Sequence, residues 1–553
     1  MSEEKAPDSQ SDDPLRSPAV GRAQQGAAPK PSRPDGRVAS PLWLAISSAL
    51  ALLMLVGGGW QLAQARSGAN RVDTVVSGVP ITLLTPTSGP GPYPGVVVAH
   101  GFAGSQEIMD GIALALVDAG FAVALPDFAG HGSSAEKLLL TDDTDRNKAQ
   151  LRDNLDVVTT WLRDRSDVTR DPISLVGHSM GAGAVVDYAV THAGSGEIGS
   201  TVAISLPNAQ AIPVGKPQVP ANLLLLWGSA ELPQFTQAGE EALHAGYPAG
   251  TVGNLYGSYA DGSARQATIV PGAEHISILW RQQTLDNVVG WTASSRGLNP
   301  GSTAPDHRMW WVLVCYLGIG FAMVPLASML LGNRRSAAVR RVAPLRAAGV
   351  MLGAAVVAAG VGWVSGPVLN FLPLAVGGYL ALFFAAAAVI MAAGGLFSAR
   401  GSEASPASVR AIVGGLVLAV VVTLGLALPG KAAWTSFTLV GDRWWLAAMF
   451  VLVLLAWFAA DELLVRRRSR WGRAGLMALN RVLVLGTLLA AVTFLGAPIF
   501  LTLLLPLIAP LFLFLAVAAI VVAARTRSVF APAAVQAVPL ALLVATAFPL
   551  VAT

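Results

Sequence analysis

Apolar residues are arranged along this chain on two different length scales. From Met309 onward they form long runs, near 309–332, 344–365, 371–397, 410–428, 443–465, 478–496, 499–523 and 529–552. About 20 residues of helix span the hydrocarbon layer of a bilayer, so these runs predict eight membrane helices. The stretch "PLWLAISSALALLMLVGGGW" at 41–60 has the same character and no charge, which makes nine. Between that stretch and Met309 the apolar runs are short: "VDTVVSG", "PITLLT", "GVVVAHG", "FAVALPDF", "ISLVGHS", "TVAISLP", "NLLLLWG" and "ATIVPGA". Segments of helical spacing, such as "IMDGIALALVDAG", "NKAQLRDNLDVVTTWLRDR" and "AGAVVDYAVTHAG", lie between several of them. Continuous apolar strands joined by helices predict a mainly parallel sheet covered on both faces. The fold class is therefore α/β over residues 72–296, joined to an all-α polytopic membrane domain over 309–552.

The amino-terminal residues 1–40 are rich in Ser, Pro, Asp, Gln and Gly and nearly free of large apolar side chains. Such a segment cannot offset its ordering entropy by burial and is expected to be disordered. "AQA" at 63–65 resembles a cleavage site, but the long polar leader and the full-length apolar core favour a retained anchor at 41–65.

Charge sets the expected orientation. "NRRSAAVRRVAPLR" (333–346) and "RRRSRWGR" (466–473) carry five Arg each. Arg400 and Arg410 lie in 398–410, and "RTR" ends one run at 525–527. The alternate connections hold only Lys431, Asp442 and Arg443. Basic loops face the cytoplasm, so the expectation is a multi-pass plasma-membrane protein with the amino terminus inside. Residues 72–296 and the carboxyl terminus then lie outside. The high Ala, Gly, Val and Arg content suits a bacterial membrane.

At 53% hydrophobic and 13% charged residues, the chain is unlike an ordinary soluble protein. Its net charge of +4 comes without an aromatic-basic patch, so no nucleic acid is expected as a partner. The expected partners are the lipid bilayer and a small-molecule or lipid ester. The single cysteine, Cys315, excludes an intrachain disulfide. All seven histidines precede the second span and form no ligand pattern, so neither a metal nor another cofactor is expected.

Chemistry gathers around "LVGHSMGAG" (175–183). "DPISLV" reads as a buried strand and "AGAVVDYAV" as a helix. Gly177 and Gly181 flank Ser179 where a sharp strand-to-helix turn leaves no room for side chains. Such a turn lifts the hydroxyl above the sheet and sets the Met180 amide at a helix start, where an oxyanion is stabilised. This arrangement resembles the nucleophile elbow of the α/β-hydrolase superfamily, including its serine esterases, lipases and dienelactone-hydrolase-like proteins. The latter carry Cys as nucleophile, and Ser179 stands here instead. The resemblance covers about 72–296 and none of the multi-span region.

That resemblance implies roles for further residues. "VVVAHGFAGS" (96–105) is similar to the superfamily's oxyanion loop, with His100 and Gly101 shaping it and the Phe102 amide joining Met180 as donor. "LPDFAGHGSS" (125–134) resembles a loop in which Asp127 and His131 have a shaping role. The triad acid position after "LLLLWG" holds Glu231, with Asp261 as the alternative. His275 in "PGAEHISIL" follows the last strand and supplies the base. The implied activity is carboxylic-ester hydrolysis through an acyl-enzyme. An acyltransferase shares the same residues, and a transporter or membrane-assembly protein with a non-catalytic outer domain is the rival class. Only 208–221 separates two strands where lipases often insert a lid, so an open site is expected, walled by 236–264.

Overall fold

The structure is a computed structural model that describes residues 38–89, 91–140, 144–299, 301–333, 342–364, 371–399, 408–466, 470–495 and 505–552. The segment expected to be disordered, 1–40, lies almost wholly outside them.

All eight expected strands form, and they belong to one sheet. β1 (Ala69–Val76) and β2 (Val79–Pro86) make a hairpin whose two-residue turn, Ser77-Gly78, has φ of 47° and 86°. Positive φ at both turn positions matches the natural twist of paired strands. β3 (Gly95–Ala99), β4 (Ala122–Pro126), β5 (Ile173–His178), β6 (Ile198–Ile204), β7 (Leu223–Gly228) and β9 (Arg265–Val270) follow. The order is β1-β2-β4-β3-β5-β6-β7-β9, with the two-residue β8 (Leu255–Tyr256) on the edge. From β4 to β9 every neighbour is parallel; β2 joins β4 and β8 joins β9 antiparallel.

Period-two alternation sends the strand side chains to two different layers. Val96, Val98, Val176 and Leu224 pack with α2 (Gln106–Asp118) and α6 (Gln282–Ser294). Val97, Ala99 and Leu175 pack with α3 (Thr144–Arg163) and α4 (Met180–Thr191). Leu225 and Trp227 pack with α5 (Pro233–Gly246), a helix that falls in the segment expected to wall the site. Strand order reverses around β3 and β5, so a crevice opens beyond their carboxyl ends.

The remaining helices are α1 (Pro41–Gln64), α7 (Arg308–Leu331), α8 (Pro344–Val364), α9 (Gly377–Ala399), α10 (Val409–Gly430), α11 (Arg443–Val465), α12 (Arg470–Leu495), α13 (Leu505–Ala523) and α14 (Phe530–Ala547). Eight of these are long and apolar enough to cross a membrane. The expected span at 499–523 corresponds to α13, which counts as a shorter apolar helix over Ile508–Ala523. Small residues let the helices approach closely. A methyl group added at Gly58 of α1 would lie 2.6 Å from Cys315 Sγ, and one at Gly415 would lie 2.7 Å from the Ala531 backbone.

Asp461 and Glu462 of α11 and Arg473 and Arg481 of α12 are inside the bundle. The helix of the run expected at 478–496 begins at Arg470, so Asn480 and Arg481 are helix-interior residues. Both are buried. Arg481 pairs with Asp461 at 3.0 Å and bonds Gln536, and Asn480 donates to Asp461 at 2.9 Å. Arg473 pairs with Glu462. Both acids of α11, Asp461 and Glu462, are thus paired with arginines of α12.

The α/β domain sits on one end of this bundle. Asp110 of α2 contacts Arg66, beyond α1, and lies 3.7 Å from the buried Arg308 at the start of α7. Arg66 and Arg308 also donate to the carbonyls of Lys431 and Ala432, past the end of α10. Lys137 pairs with Asp442 at 2.8 Å. The chain beyond α14 continues onto the domain: Leu138 N donates to Leu550 O, and Ala552 N to Leu138 O. At the opposite end, Val38 N bonds Asn333 O, while Arg410 and Arg525 reach the last turns of α7.

Candidate active site

Ser179 joins β5 to α4 with φ 54° and ψ −117°, a conformation that non-glycine residues rarely adopt. Neighbouring glycines make the turn possible. A Cβ at Gly177 would lie 2.3 Å from Gly181 O, and one at Gly181 would lie 2.5 Å from both Ala99 O and His100 O. Backbone contacts of this kind do not yield to a side-chain shift, so the elbow is closed to any larger residue.

The imidazole of His275 follows β9. Its Nε2 is 3.0 Å from Ser179 Oγ and its Nδ1 is 2.9 Å from Glu231 Oε2. The Glu231 side chain has no exposed surface and that of His275 is 4% exposed. Glu231 is fixed at its other oxygen, where Oε1 accepts from Ser205 Oγ and from the Gly228 amide, both at 2.8 Å. Phe235 stacks on the His275 ring with centroids 4.4 Å apart. Serine, imidazole and carboxylate therefore form one hydrogen-bonded chain, and the acid in it is Glu231. Asp261 instead accepts from the amide and hydroxyl of Ser263 in the edge turn before β9.

The loop after β3 comes close to this serine. A Cβ on Gly101 would lie 3.1 Å from Ser179 Cβ. His100, one residue before it, is buried; its Nδ1 donates to Gly101 O and its Nε2 accepts from the Phe128 amide. The ring thus ties this loop to the one carrying Asp127 and His131. Phe102 and His131 rings meet edge to face at 5.6 Å. Met180 is the first residue of α4, so its amide has no intrahelical acceptor. Asp127 accepts from the amides of Gln106 and Ser133, which holds α2 and the 127–134 loop together.

Three further imidazoles of the domain are buried. Burial lowers His100, and it pushes His131 and His178 well below the ordinary histidine range. His178, inside the Gly-x-Ser-x-Gly motif, donates from Nε2 to the backbone carbonyl of His275 at 2.9 Å. Its position in the motif was visible in the sequence, but its bond to a residue 97 positions away was not. Ser205, at a strand end with φ 55°, gave no signal of its own.

Residues 92–238 match the family model described as serine aminopeptidase, S33. Sheet order, elbow and family match concern the same residues. The domain has the α/β-hydrolase fold. Similar solved structures include a dienelactone hydrolase from Anabaena variabilis, at 20% identity over 41% of this chain and 96% of that one, with a TM-score of 0.29. A membrane phospholipase A described as a bacterial virulence factor shows 15% identity, 46% and 97% coverage, and a TM-score of 0.30. A hyperthermophilic esterase from Pyrobaculum calidifontis shows 14% identity, 47% and 98% coverage, and a TM-score of 0.32. No curated protein matches the chain.

The hydrolase site is less open than its short 208–221 connection suggests. Ser179 is half-buried, and Ala103 of the loop after β3 packs against the apolar core of the helix bundle. The 128–138 loop is bonded to the tail that follows α14. Of the expected wall at 236–264, α5 instead covers the sheet through Trp227.

Proposed function

We propose that this chain is a membrane-bound serine hydrolase that cleaves a carboxylic ester at the outer face of the plasma membrane. The observation that carries the reading is the Ser179–His275–Glu231 chain of hydrogen bonds on an α/β-hydrolase fold.

In this reading His275 Nε2 takes the Ser179 proton as Oγ attacks the ester carbonyl carbon. The carbonyl oxygen becomes an oxyanion facing the amides of Phe102 and Met180. Glu231, acceptor of the Nδ1 proton, keeps the ring in its working tautomer and stabilises the imidazolium. Collapse of the tetrahedral species breaks the carbon–oxygen bond to the alcohol, which leaves with the proton held at Nε2. Water, deprotonated by the same nitrogen, then attacks the acyl-serine. The acid departs and Ser179 regains its proton.

The Arg-bearing connections supply the sidedness. Arg410 and Arg525 lie at the bundle end opposite the hydrolase domain, and basic ends face the cytoplasm.

A fluorophosphonate probe tests the chemistry on the full chain. Wild type should be labelled and should hydrolyse ester substrates, and Ser179→Ala should do neither. Labelling that survives Ser179→Ala, or a correctly folded wild type that hydrolyses no ester, would remove the proposal. An alcohol acceptor supplied with the ester separates an acyltransferase, which would accumulate the new ester in place of free acid.

A further inference from the structure

The hydrolase end of the bundle contains a cleft between α9, α12, α13 and α14. Among the described residues eleven side chains line it, all aliphatic or phenyl, including Leu380, Phe384, Leu485, Leu489, Phe512 and Phe548. Its depth follows from the helix positions. Leu380 and Phe384 are in the first turns of α9, Leu485 and Leu489 in the last turns of α12, and Phe512 in the first half of α13. Those helix ends are on the hydrolase side, because Ala375 just before α9 bonds Pro549 O in the tail that reaches the hydrolase loop. One wall is buried, formed by α9 and α14. The α12 wall reaches the bundle surface, where Leu489 is 45% exposed. A membrane surrounds that surface with lipid chains, so the cleft is accessible sideways from the bilayer.

Three contacts tie the bundle around the cleft to the candidate active site. Phe548 lines it, and two residues later Leu550 exchanges hydrogen bonds with the hydrolase loop: its amide donates to Gly130 O, and its carbonyl accepts from Leu138 N. Gly130 precedes His131, whose ring meets Phe102. Ala103, next in the chain, packs on the same apolar core to which Phe384, Phe512 and Phe548 belong. An apolar surface of packed side chains therefore links the bundle core around the cleft to Ala103, next to Phe102. An aqueous ester has no use for such a surface, whereas a lipid carries both a long apolar chain and an ester at its head.

We propose that this cleft binds the acyl chain of a bilayer lipid and presents the lipid's ester to Ser179. The proposal rests on the serine-hydrolase reading and adds the substrate class. The multi-span region then has a catalytic purpose as the chain-binding part of the substrate site. Burial of the chain in an apolar cleft costs little, since it leaves one hydrocarbon environment for another, so the cleft acts by orientation.

The test uses the full chain in lipid nanodiscs and a fluorophosphonate bearing a long alkyl chain with a terminal diazirine. After reaction at Ser179, illumination should crosslink the alkyl end to peptides of α9, α12, α13 or α14. Attachment at Ser179 with crosslinks only within residues 72–296 would overturn the cleft and leave the hydrolase reading standing. No attachment in folded protein would remove both. As a second measurement, tryptophan at two lining positions, Leu485→Trp on α12 and Leu540→Trp on α14, should lower the ratio of p-nitrophenyl palmitate to p-nitrophenyl butyrate turnover at least tenfold. An unchanged ratio in variants that still react at Ser179 would also overturn the cleft.

Discussion

The guanidinium of Arg443, at the first residue of α11, donates a 2.6 Å hydrogen bond to the carbonyl of Gly130 in the hydrolase loop. The same side chain serves Ala545 O within the last turn of α14 and Phe548 O just beyond it, and it is fully buried. One cation therefore joins a membrane helix, the carboxyl-terminal tail and the loop that carries His131. Arg443→Met leaves three buried carbonyls without this donor, at about 1–3 kcal/mol each. Hydrogen exchange at the Leu138 and Leu550 amides should accelerate at least tenfold. Arg443→Lys should recover only part of the protection, because an ammonium lacks the planar fork that reaches three acceptors. Unchanged exchange in the Met variant would remove Arg443 as the tie.

Glu231 and Asp261 make opposite forecasts under the proposed mechanism. Glu231→Gln keeps the shape but turns the acceptor of the His275 Nδ1 proton into an amide, which favours the wrong tautomer. A loss of ~10⁴ in kcat is expected, as for other triad acids. Glu231→Asp should fall between, since a shorter side chain cannot both meet His275 and hold the Ser205 hydroxyl and Gly228 amide. Asp261→Asn should leave kcat within a factor of two or so, being confined to a turn with Ser263. Steady-state hydrolysis of a short ester distinguishes these outcomes.

What the sequence disclosed depended on whether the cause was local. β3 to β7 were readable because fully buried strands are continuous apolar runs, and Ser179 was readable because its glycines are steric necessities of the turn. The short β8 was missed because two residues carry no period. α5 was missed since Pro233–Gly246 alternates small and polar residues, and its anchor Phe235 earns its place only against His275. Hydropathy also began the α12 span too late, at 478 instead of 470. It assigns Arg473 to a basic connection, whereas Glu462 receives that side chain inside the bundle. The covering of the site by the bundle left no trace in any single stretch. It depends on Ala103, Gly130 and Leu550, which are ordinary residues until the two domains meet.

Sidedness can be read with thiols, because the one native cysteine, Cys315, is buried. Val214 is 80% exposed on the hydrolase domain and Val409 is 76% exposed at the basic end of α10. In intact cells an impermeant maleimide should label Val214→Cys and spare Val409→Cys until the membrane is opened. The reverse pattern would place the hydrolase domain in the cytoplasm.

Glu107 should make the hydrolase domain sensitive to pH. Its carboxyl is 1% exposed in the first turn of α2 and accepts from Ser105 Oγ at 2.6 Å. Burial, reinforced by the nearby Asp127 charge, raises its pKa from 4.5 to about 7. A carboxyl with a raised folded-state pKa binds more protons folded than unfolded between those values, so stability declines as pH rises through that window. The decline amounts to as much as about 3 kcal/mol, shared with Asp127, whose carboxyl is also raised by burial. Below pH 4.5 both states are protonated and the penalty vanishes. Glu107→Gln keeps a neutral, hydrogen-bonding group at every pH. Its melting temperature relative to wild type should therefore rise steadily between pH 5 and pH 8. A constant difference across that range would mean that Glu107 is ionised throughout and that its environment is more polar than its burial implies.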